Sequence, residues 1–244
     1  MHRLKISVVN YLNSKVFVKG LIPNAENDFD ISSDIPSVCA SKLINKSVDL
    51  GLIPVGVIPE VENAIIVSDY CISSTGAVNS VFLFSNTPVS ELHTIYLDPH
   101  SRTSNLLCRV LSKEWWKINV QFKTREDNII DLEQGEGMVL IGDRTFDQIG
   151  KFSNTFDLSD EWRSLTGLPF VFAAWVANKN ISSTEIQQFN KYLSNGFNHL
   201  DEVIAENMLD YFDVNDYLKN KIEYNLNDEK REAIALFLRK SKEL

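Results

Sequence analysis

The residue types best suited to chemistry in this chain lie together at positions 101–104. Ser101, Arg102, Thr103 and Ser104 place three hydroxyl groups and one guanidinium side by side. A short β-branched and aromatic run precedes them, and apolar side chains at helical spacing follow. The helix that begins here offers unpaired N–H groups and about half a positive charge at its N-terminus. Such a joint between strand and helix is typical of an anion-binding site.

Helix capping is the simpler interpretation of the same four residues. A Ser or Thr hydroxyl commonly caps a helix by accepting a hydrogen bond from a backbone N–H. One cap needs one hydroxyl, whereas three flank Arg102 here. We therefore favour the anion site over the plain cap.

A second joint of this kind lies near the start of the chain. Residues 5–9 predict a strand, and the polar segment 10–14 separates it from an apolar-periodic helix. Asn13 or Ser14 can cap that helix. Alternatively, the Asn13 amide can donate to a ligand and accept from a ligand hydroxyl.

The sequence offers weaker candidates for acid–base catalysis than for anion binding. Asp98 and Asp143 each follow a predicted strand and could pair as acid and base. Aspartates in such positions more often cap a turn or orient an arginine such as Arg144, and we favour that interpretation. His100 is the one candidate imidazole base, although a single histidine in a turn is usually just solvated.

Composition limits the classes of function. The 244 residues are 44% hydrophobic and 23% charged, which is typical of a soluble globular protein. The net charge of -9 argues against a nucleic-acid partner, because binding to phosphates needs a basic surface. An anion site must therefore be local, built from helix ends and one or two arginines.

The sequence also predicts the cellular setting. The apolar run at the N-terminus is too short for a signal peptide, and no run approaches the roughly 20 residues that cross a bilayer. We expect a cytoplasmic protein that does not contact membranes, with Cys39, Cys71 and Cys108 as buried reduced thiols. The scattered histidines and cysteines predict no metal site. Glycine-rich dinucleotide, Walker and nucleophile-elbow motifs are absent from the sequence.

Alternating strands and helices predict an α/β fold of two lobes. We place lobe 1 at residues 1–85 and 178–244, and lobe 2 at residues 86–177, with a helix over 127–134. Extended runs at 78–85 and 170–176 would cross between the lobes, and the terminal helices would pack on lobe 1. Ligands of α/β sheets bind at strand ends. Since Asn13, Pro54, residues 101–104 and Asp143 all follow predicted strands, we expect them in a central cleft.

Six motifs and a tail resemble one known family, the menaquinone-biosynthesis chorismate dehydratases of the futalosine pathway. The resemblance runs in order along nearly the whole chain. It is carried by Y-L-N at 11–13, V-D-L-G-L-I-P-V at 48–55, S-V-F-L-F-S at 80–85, L-D-P-H-S-R-T-S at 97–104, I-G-D at 141–143, E-W-R-S-L-T-G-L-P-F-V-F-A-A-W at 161–175 and the tail L-x-N-K-I-E-Y-x-L.

The resemblance implies a fold like the type II periplasmic binding proteins. It also implies a reaction in which chorismate loses water to give 3-[(1-carboxyvinyl)oxy]benzoate, without a metal or redox cofactor. A sister family on the same fold makes 1,4-dihydroxy-6-naphthoate. A third possibility is a cytoplasmic protein that binds a small carboxylate without changing it.

The dehydratase reaction suggests roles for the candidate residues. Our hypothesis is that residues 101–104 hold a carboxylate of the substrate, that Asn13 hydrogen-bonds the departing hydroxyl, and that Ser80 assists. The sequence offers no clear side chain to act as base. A carboxylate on the substrate's own enolpyruvyl arm could remove the proton instead.

Overall fold

The computed structural model describes residues 3–25, 28–126 and 131–244. The chain forms two compact units. The first comprises Met1–Ile72 and Val171–Asn227, and the second comprises Ser73–Phe170 and Asp228–Leu244. The backbone therefore passes from one unit to the other at 72/73, 170/171 and 227/228.

Strands and helices alternate through most of the described chain. The first part contains β1 Leu4–Val9, α1 Lys15–Ala25, β2 Phe29–Asp34, α2 Pro36–Ile44, β3 Leu50–Pro54 and β4 Ile65–Ser74. The middle contains β5 Val81–Ser85, β6 Thr94–Leu97, α3 Arg102–Glu114, β7 Gln121–Thr124, β8 Glu136–Ile141, β9 Asn154–Asp157 and α4 Leu158–Thr166. The last part contains β10 Phe170–Ala177, α5 Ser183–Gly196, α6 Leu200–Glu206, α7 Val214–Asp216, β11 Glu223–Asn225 and α8 Asp228–Lys242.

The sheet of the first unit has the strand order β11-β4-β10-β3-β1-β2 within the described residues. β1 is parallel to β2 and β3, whereas β10 runs antiparallel to β3. All five residues of β3 are buried, as its unbroken apolar sequence predicts for a central strand.

Aromatic side chains and Gly196 fix the helices of the first unit. Phe17 of α1 makes edge-to-face contacts with Trp175 at 5.8 Å and Tyr224 at 5.4 Å. A methyl group on Gly196 of α5 would lie 2.0 Å from the backbone oxygen of Val16. α1 and α5 can therefore pack this closely only because Gly196 has no side chain.

The sheet of the second unit has the strand order β7-β6-β8-β5-β9 within the described residues. β6 is parallel to β7 and β8, and β5 is antiparallel to β8 and β9. A second aromatic cluster involves the last helix, because Phe237 packs edge-to-face on Phe170 at 5.0 Å and on Trp162 at 5.9 Å. α8 is thus part of this unit's core.

The α/β architecture agrees with the sequence prediction, but the boundaries between units differ. β5 pairs in the second sheet and not in lobe 1. The chain passes between the units near the end of β4 and again at the start of β10. The last helix also packs in the second unit instead of on lobe 1. A buried apolar strand looks the same in either sheet, so its pairing partners cannot be inferred from its own residues.

Some predictions of local structure agree with the structure, and one does not. The residues Ser74-Thr75-Gly76 between two extended runs predict a turn with a positive φ at Gly76, and that φ is 104°. The spacing of Ser182 and Glu185 predicts a capping box, which the structure contains. The predicted helix over 127–134 lies partly outside the described residues, and its described part, 131–134, is not helical. Cys39, Cys71 and Cys108 are buried, as expected, and are not joined in disulfides. Within the described chain, helices long and apolar enough to span a bilayer do not occur.

A partly buried polar cluster joins β1, β2 and α2. The Asp34 carboxylate accepts hydrogen bonds from the Ser7 hydroxyl at 2.7 Å and the Ser32 hydroxyl at 2.9 Å. It also forms an ion pair with Lys42 of α2 at 2.6 Å. Burial alone would raise the pKa of Asp34, but the hydrogen bonds from Lys42, Ser7 and Ser32 lower it below its ordinary value of 3.8.

We expect Asp34→Asn to destabilise the protein by about 1–2 kcal/mol at neutral pH, because the ion pair with Lys42 is lost. The pKa of Asp34 is lower in the folded protein than in the unfolded chain. The stabilisation by Asp34 is therefore complete above the pKa of the unfolded chain, and it is lost as the pH falls through the pKa of the folded protein. Urea denaturation from pH 7 to pH 3 should therefore show the gap between wild type and variant closing at acidic pH. The exposed Asp30→Asn on the same strand is the control. A gap that stays constant over this range would contradict the assignment.

Candidate active site

The second unit brings several of the predicted residues to one edge of its sheet. β6 and β8 are parallel neighbours, so their carboxyl ends meet at that edge. β5 runs antiparallel to β8, which places Ser80, just before β5, at the same edge. There the Gly142 N–H donates to the Ser80 backbone oxygen at 2.8 Å. We call the following residues the β6–β8 edge: Ser80, Asp98, residues 101–104, Asp143 and Arg144.

The residues at the start of α3 include a helix cap, and most of them are buried. The Ser101 hydroxyl accepts a hydrogen bond from the Ser104 N–H at 3.1 Å, so Ser101 is the N-cap. Ser101, Thr103 and Ser104 are buried, whereas Arg102 is exposed. One hydroxyl therefore meets the requirement of the cap, and two further hydroxyls lie in the first turn beside it.

Asp98 is the centre of the β6–β8 edge. Its fully buried carboxylate accepts from Arg144 Nη2 at 2.8 Å on both oxygens and from Arg125 Nη2 at 3.4 Å. The backbone N–H groups of His100 and Ile141 donate to it at 2.9 and 3.1 Å. A carboxylate surrounded by N–H donors is an acceptor that orients arginines. This contact pattern supports the second interpretation of Asp98 and disfavours a role as acid or base.

Two arginines converge on this one carboxylate. Asp98 contributes one negative charge, and Arg125 and Arg144 contribute two positive charges, because arginine stays protonated in proteins. The Arg125 side chain is only 1% exposed, so its charge is poorly screened by water. Guanidinium groups close to the N-terminus of α3 are groups that suit a negatively charged ligand.

The remaining residues of this edge differ in exposure. Ser80 is buried, and its position is fixed through Asn79, whose N–H donates to the Asp157 carboxylate at 2.7 Å. Asp143 is exposed and is the second residue of a short 3₁₀ helix, Gly142–Thr145; the φ of 67° at Gly142 turns the chain. An exposed carboxylate beside an anion site would weaken binding of an anion, so Asp143 is the least favourable of the predicted binding residues.

Asn13 lies in a tightly held turn of the first unit. The turn Leu12–Ser14 is a 3₁₀ helix between β1 and α1. The buried Ser14 hydroxyl locks it by donating to the Val9 backbone oxygen at 2.5 Å and by accepting from the Tyr11 N–H at 3.2 Å. The Asn13 Nδ2 donates to the Tyr217 hydroxyl at 3.3 Å. Ser14 thus performs the backbone role, and the Asn13 amide faces another side chain.

Pro54 shares the edge of its sheet with this turn. β3 is the parallel neighbour of β1, so the end of β3 at Pro54 and the end of β1 at Val9 lie on the same side. Pro54 is buried and pairs with Ala173 of β10. Because proline has no N–H, the backbone can offer a ligand only its carbonyl oxygen here.

Sequence reasoning missed two residues that hold these edges together. Arg125 follows β7, the parallel neighbour of β6, so the rule that selected the other strand ends applies to it. The residues N-V-Q-F at 119–122 predict a strand that ends two residues before β7 does, so Arg125 does not directly follow the predicted strand. Tyr217 contacts Asn13 across 204 positions, and no pattern in the sequence signals such a contact.

Comparisons with known proteins identify the family. A family model described as menaquinone biosynthesis matches residues 4–243. The chain belongs to this menaquinone-biosynthesis family. It is 25% identical to a chorismate dehydratase of Campylobacter jejuni subsp. jejuni serotype O:23/36 (strain 81-176), over 98% of this chain and 97% of that protein. It is 31% identical to a chorismate dehydratase of Thermus thermophilus over 124 residues, 44% of this chain and 45% of the relative. The resemblance inferred from the motifs is thereby confirmed.

Solved structures confirm the fold class. A crystal structure of a protein from Archaeoglobus fulgidus matches with a TM-score of 0.75 at 12% identity, over 99% of this chain and 97% of the other. A Candida albicans protein with the generic periplasmic binding protein fold matches with a TM-score of 0.64 at 14% identity, over 100% and 91% of the two chains. The menaquinone-biosynthesis family member described here therefore has a periplasmic-binding-protein-like fold.

We expect Asp98→Asn to lower the free energy of unfolding by about 3–5 kcal/mol, because it breaks a buried ion pair and leaves two guanidiniums without their counter-charge. Chemical denaturation measures this directly. The control is Asp147→Asn, the same substitution at an exposed ion pair with Lys151, which should stay close to wild type. Equal stability of the two variants would show that Asp98 does not hold the arginines.

Proposed function

We propose that this protein is a chorismate dehydratase, which converts chorismate into 3-[(1-carboxyvinyl)oxy]benzoate and water. The observation that carries the proposal is the alignment with a chorismate dehydratase over 98% of this chain and 97% of that protein. The family match over residues 4–243 agrees with it. We further propose that it acts in the cytoplasm, where its three cysteines, which form no disulfide, would remain reduced.

The reaction needs one proton removed and one hydroxyl released. The hydroxyl of chorismate and its enolpyruvyl ether sit on neighbouring ring carbons. The C–H bond beside the ether breaks, its electron pair completes the ring π system, and the C–O bond of the hydroxyl breaks. The proton and the departing hydroxide form water. Because the product ring is aromatic, the reaction is strongly favoured, and catalysis can rest mainly on positioning.

The β6–β8 edge is suited to hold a carboxylate of chorismate. The N-terminus of α3 supplies backbone N–H groups, and the buried Thr103 and Ser104 lie in its first turn. Arg125 and Arg144, which both contact Asp98, place two guanidinium groups at the same edge. In our proposal, Arg102 and Ser80 complete the contacts to this carboxylate, while Asp143 only borders it.

Asn13 is suited to the departing hydroxyl. As the C–O bond breaks, negative charge develops on the oxygen, and a donated N–H stabilises that charge. An amide N–H can do this without a net charge, and the amide oxygen can accept from the same hydroxyl in the ground state. The rigid turn around Ser14 keeps the amide in place for this purpose.

The base that we propose is the enolpyruvyl carboxylate of the substrate itself. The buried Asp98 is an unsuitable base, since N–H donors surround its oxygens. A carboxylate attached to the substrate lies within reach of the neighbouring C–H bond and is positioned by the same contacts that bind the substrate.

Incubation of the purified protein with chorismate, followed by ultraviolet absorption, tests the activity. We expect the diene spectrum to give way to that of a benzoate, in proportion to the enzyme added. Mass spectrometry should show the loss of one water.

The same assay separates the alternatives. A protein that only binds a small carboxylate would bind chorismate in calorimetry without any change of spectrum. The sister activity, synthesis of 1,4-dihydroxy-6-naphthoate, would also leave chorismate unchanged.

We expect Arg102→Ala to raise the KM for chorismate, because a positive charge at the carboxylate site is lost, with a smaller change in kcat. The loss of one charge-assisted hydrogen bond corresponds to roughly a 10- to 100-fold increase. Lys113→Ala, an exposed substitution near the other end of α3, should leave KM unchanged. An unchanged KM in Arg102→Ala would remove Arg102 from the site.

We expect Asn13→Asp to lower kcat by a factor of about 100 or more, because a carboxylate cannot donate to the departing oxygen and repels its developing charge. Steady-state kinetics with chorismate measures this. Asn198→Asp adds the same charge at an exposed position of the first unit and should keep full activity. Near-normal turnover of Asn13→Asp would exclude the amide from the reaction.

A further inference from the structure

The C-terminal tail motif has no role in the function proposed so far. In the structure, its first residues belong to a π-helical turn, Tyr217–Lys221, that continues α7, and β11 follows. π-helical turns are rare and occur frequently at functional sites. The first residue of this turn is Tyr217, which is only 1% exposed.

The Tyr217 hydroxyl is the group that the Asn13 amide contacts. Asn13 Nδ2 donates to it at 3.3 Å, and both residues belong to the first unit. The tyrosine ring is held by Phe212, whose ring centroid lies 5.4 Å away in an edge-to-face contact. A buried tyrosine on a short, packed turn is a rigid support for a neighbouring side chain.

We propose that Tyr217 is a positioning residue that orients the Asn13 amide for the departing hydroxyl of the substrate. The bond directs one N–H of the amide toward Tyr217, and it thereby turns the carbonyl oxygen and the second N–H toward other partners. A side-chain amide can otherwise rotate and exchange its donor and acceptor ends. This inference rests on the role of Asn13 in the proposed function. It names Tyr217 as the residue that holds the Asn13 amide in the orientation required by that role.

The chain offers a matched control in Tyr224. This tyrosine lies in β11 of the same tail and is nearly buried, at 9% exposure. Its hydroxyl makes no hydrogen bond within the described part of the chain. Removing the Tyr224 hydroxyl therefore breaks no hydrogen bond within that described part, whereas removing the Tyr217 hydroxyl breaks the bond to Asn13.

The kinetic experiment compares Tyr217→Phe with Tyr224→Phe in the full chain. We expect Tyr217→Phe to lower kcat roughly three- to tenfold, the equivalent of one hydrogen bond, with little change in the KM for chorismate. Tyr224→Phe should keep the wild-type kcat and melt at the same or a higher temperature, because it removes an unpartnered buried hydroxyl.

A double variant separates positioning from a general structural effect. If Tyr217 acts only through the amide, adding Tyr217→Phe to Asn13→Ala should cause no further loss of kcat. Losses that multiply would show that Tyr217 acts independently of Asn13 and would overturn the proposal. A wild-type kcat in Tyr217→Phe would overturn it as well.

A measurement without substrate distinguishes this inference from the proposed function. The side-chain NH₂ resonances of ¹⁵N-labelled Asn13, assigned by their absence in Asn13→Ala, should shift in Tyr217→Phe and stay unchanged in Tyr224→Phe. Unchanged resonances in Tyr217→Phe would overturn the inference even if chorismate is dehydrated normally. If the resonances shift but the protein does not convert chorismate, the dehydratase role is refuted, whereas the contact between Tyr217 and Asn13 is supported.

Discussion

The buried carboxylate of Asp98 is the interaction on which the second unit depends. It joins the end of β6 to the end of β8 through the Ile141 N–H, and it gathers Arg125 and Arg144 at the same edge. Without this negative charge, two guanidiniums would repel one another where β7 and β8 end. With it, both guanidinium groups are held at this edge. Under the proposed function, the contacts that stabilise this edge also prepare it to bind an anion.

The first unit achieves rigidity with fewer charges. Its strand ends are held by hydroxyl groups, such as Ser14 at the end of β1, and by the ion pair of Asp34 with Lys42. The close contact of α1 and α5 at Gly196 fixes the helix that follows Asn13. The Asn13 amide is thus uncharged but well supported. Neutral donors suit a departing hydroxyl, whereas cations suit a carboxylate, and the chain provides both kinds of group in separate units.

The sequence predicts local features well and long-range ones poorly. Hydrophobic periodicity located most helices and strands, and the capping residues at Ser101 and Ser182 occupy the expected positions. The assignment of β5 and α8 to a unit failed because pairing partners and packing faces are set by distant residues. The same limit applies to the site. Residues near strand ends could be proposed from the sequence, whereas the link from Asn13 to Tyr217 depends on the folded chain.

The proposed chemistry explains why the sequence contains no familiar catalytic motif. A reaction that ends in an aromatic ring needs no strong acid–base pair if the substrate supplies its own carboxylate as base. What remains for the protein is to hold an anion and to receive a hydroxyl, and these tasks need guanidinium, hydroxyl and amide groups at rigid strand ends. A fold that serves ligand binding already presents such groups. Under this proposal, the step from binding protein to enzyme depends on one well-oriented amide more than on any new catalytic machinery.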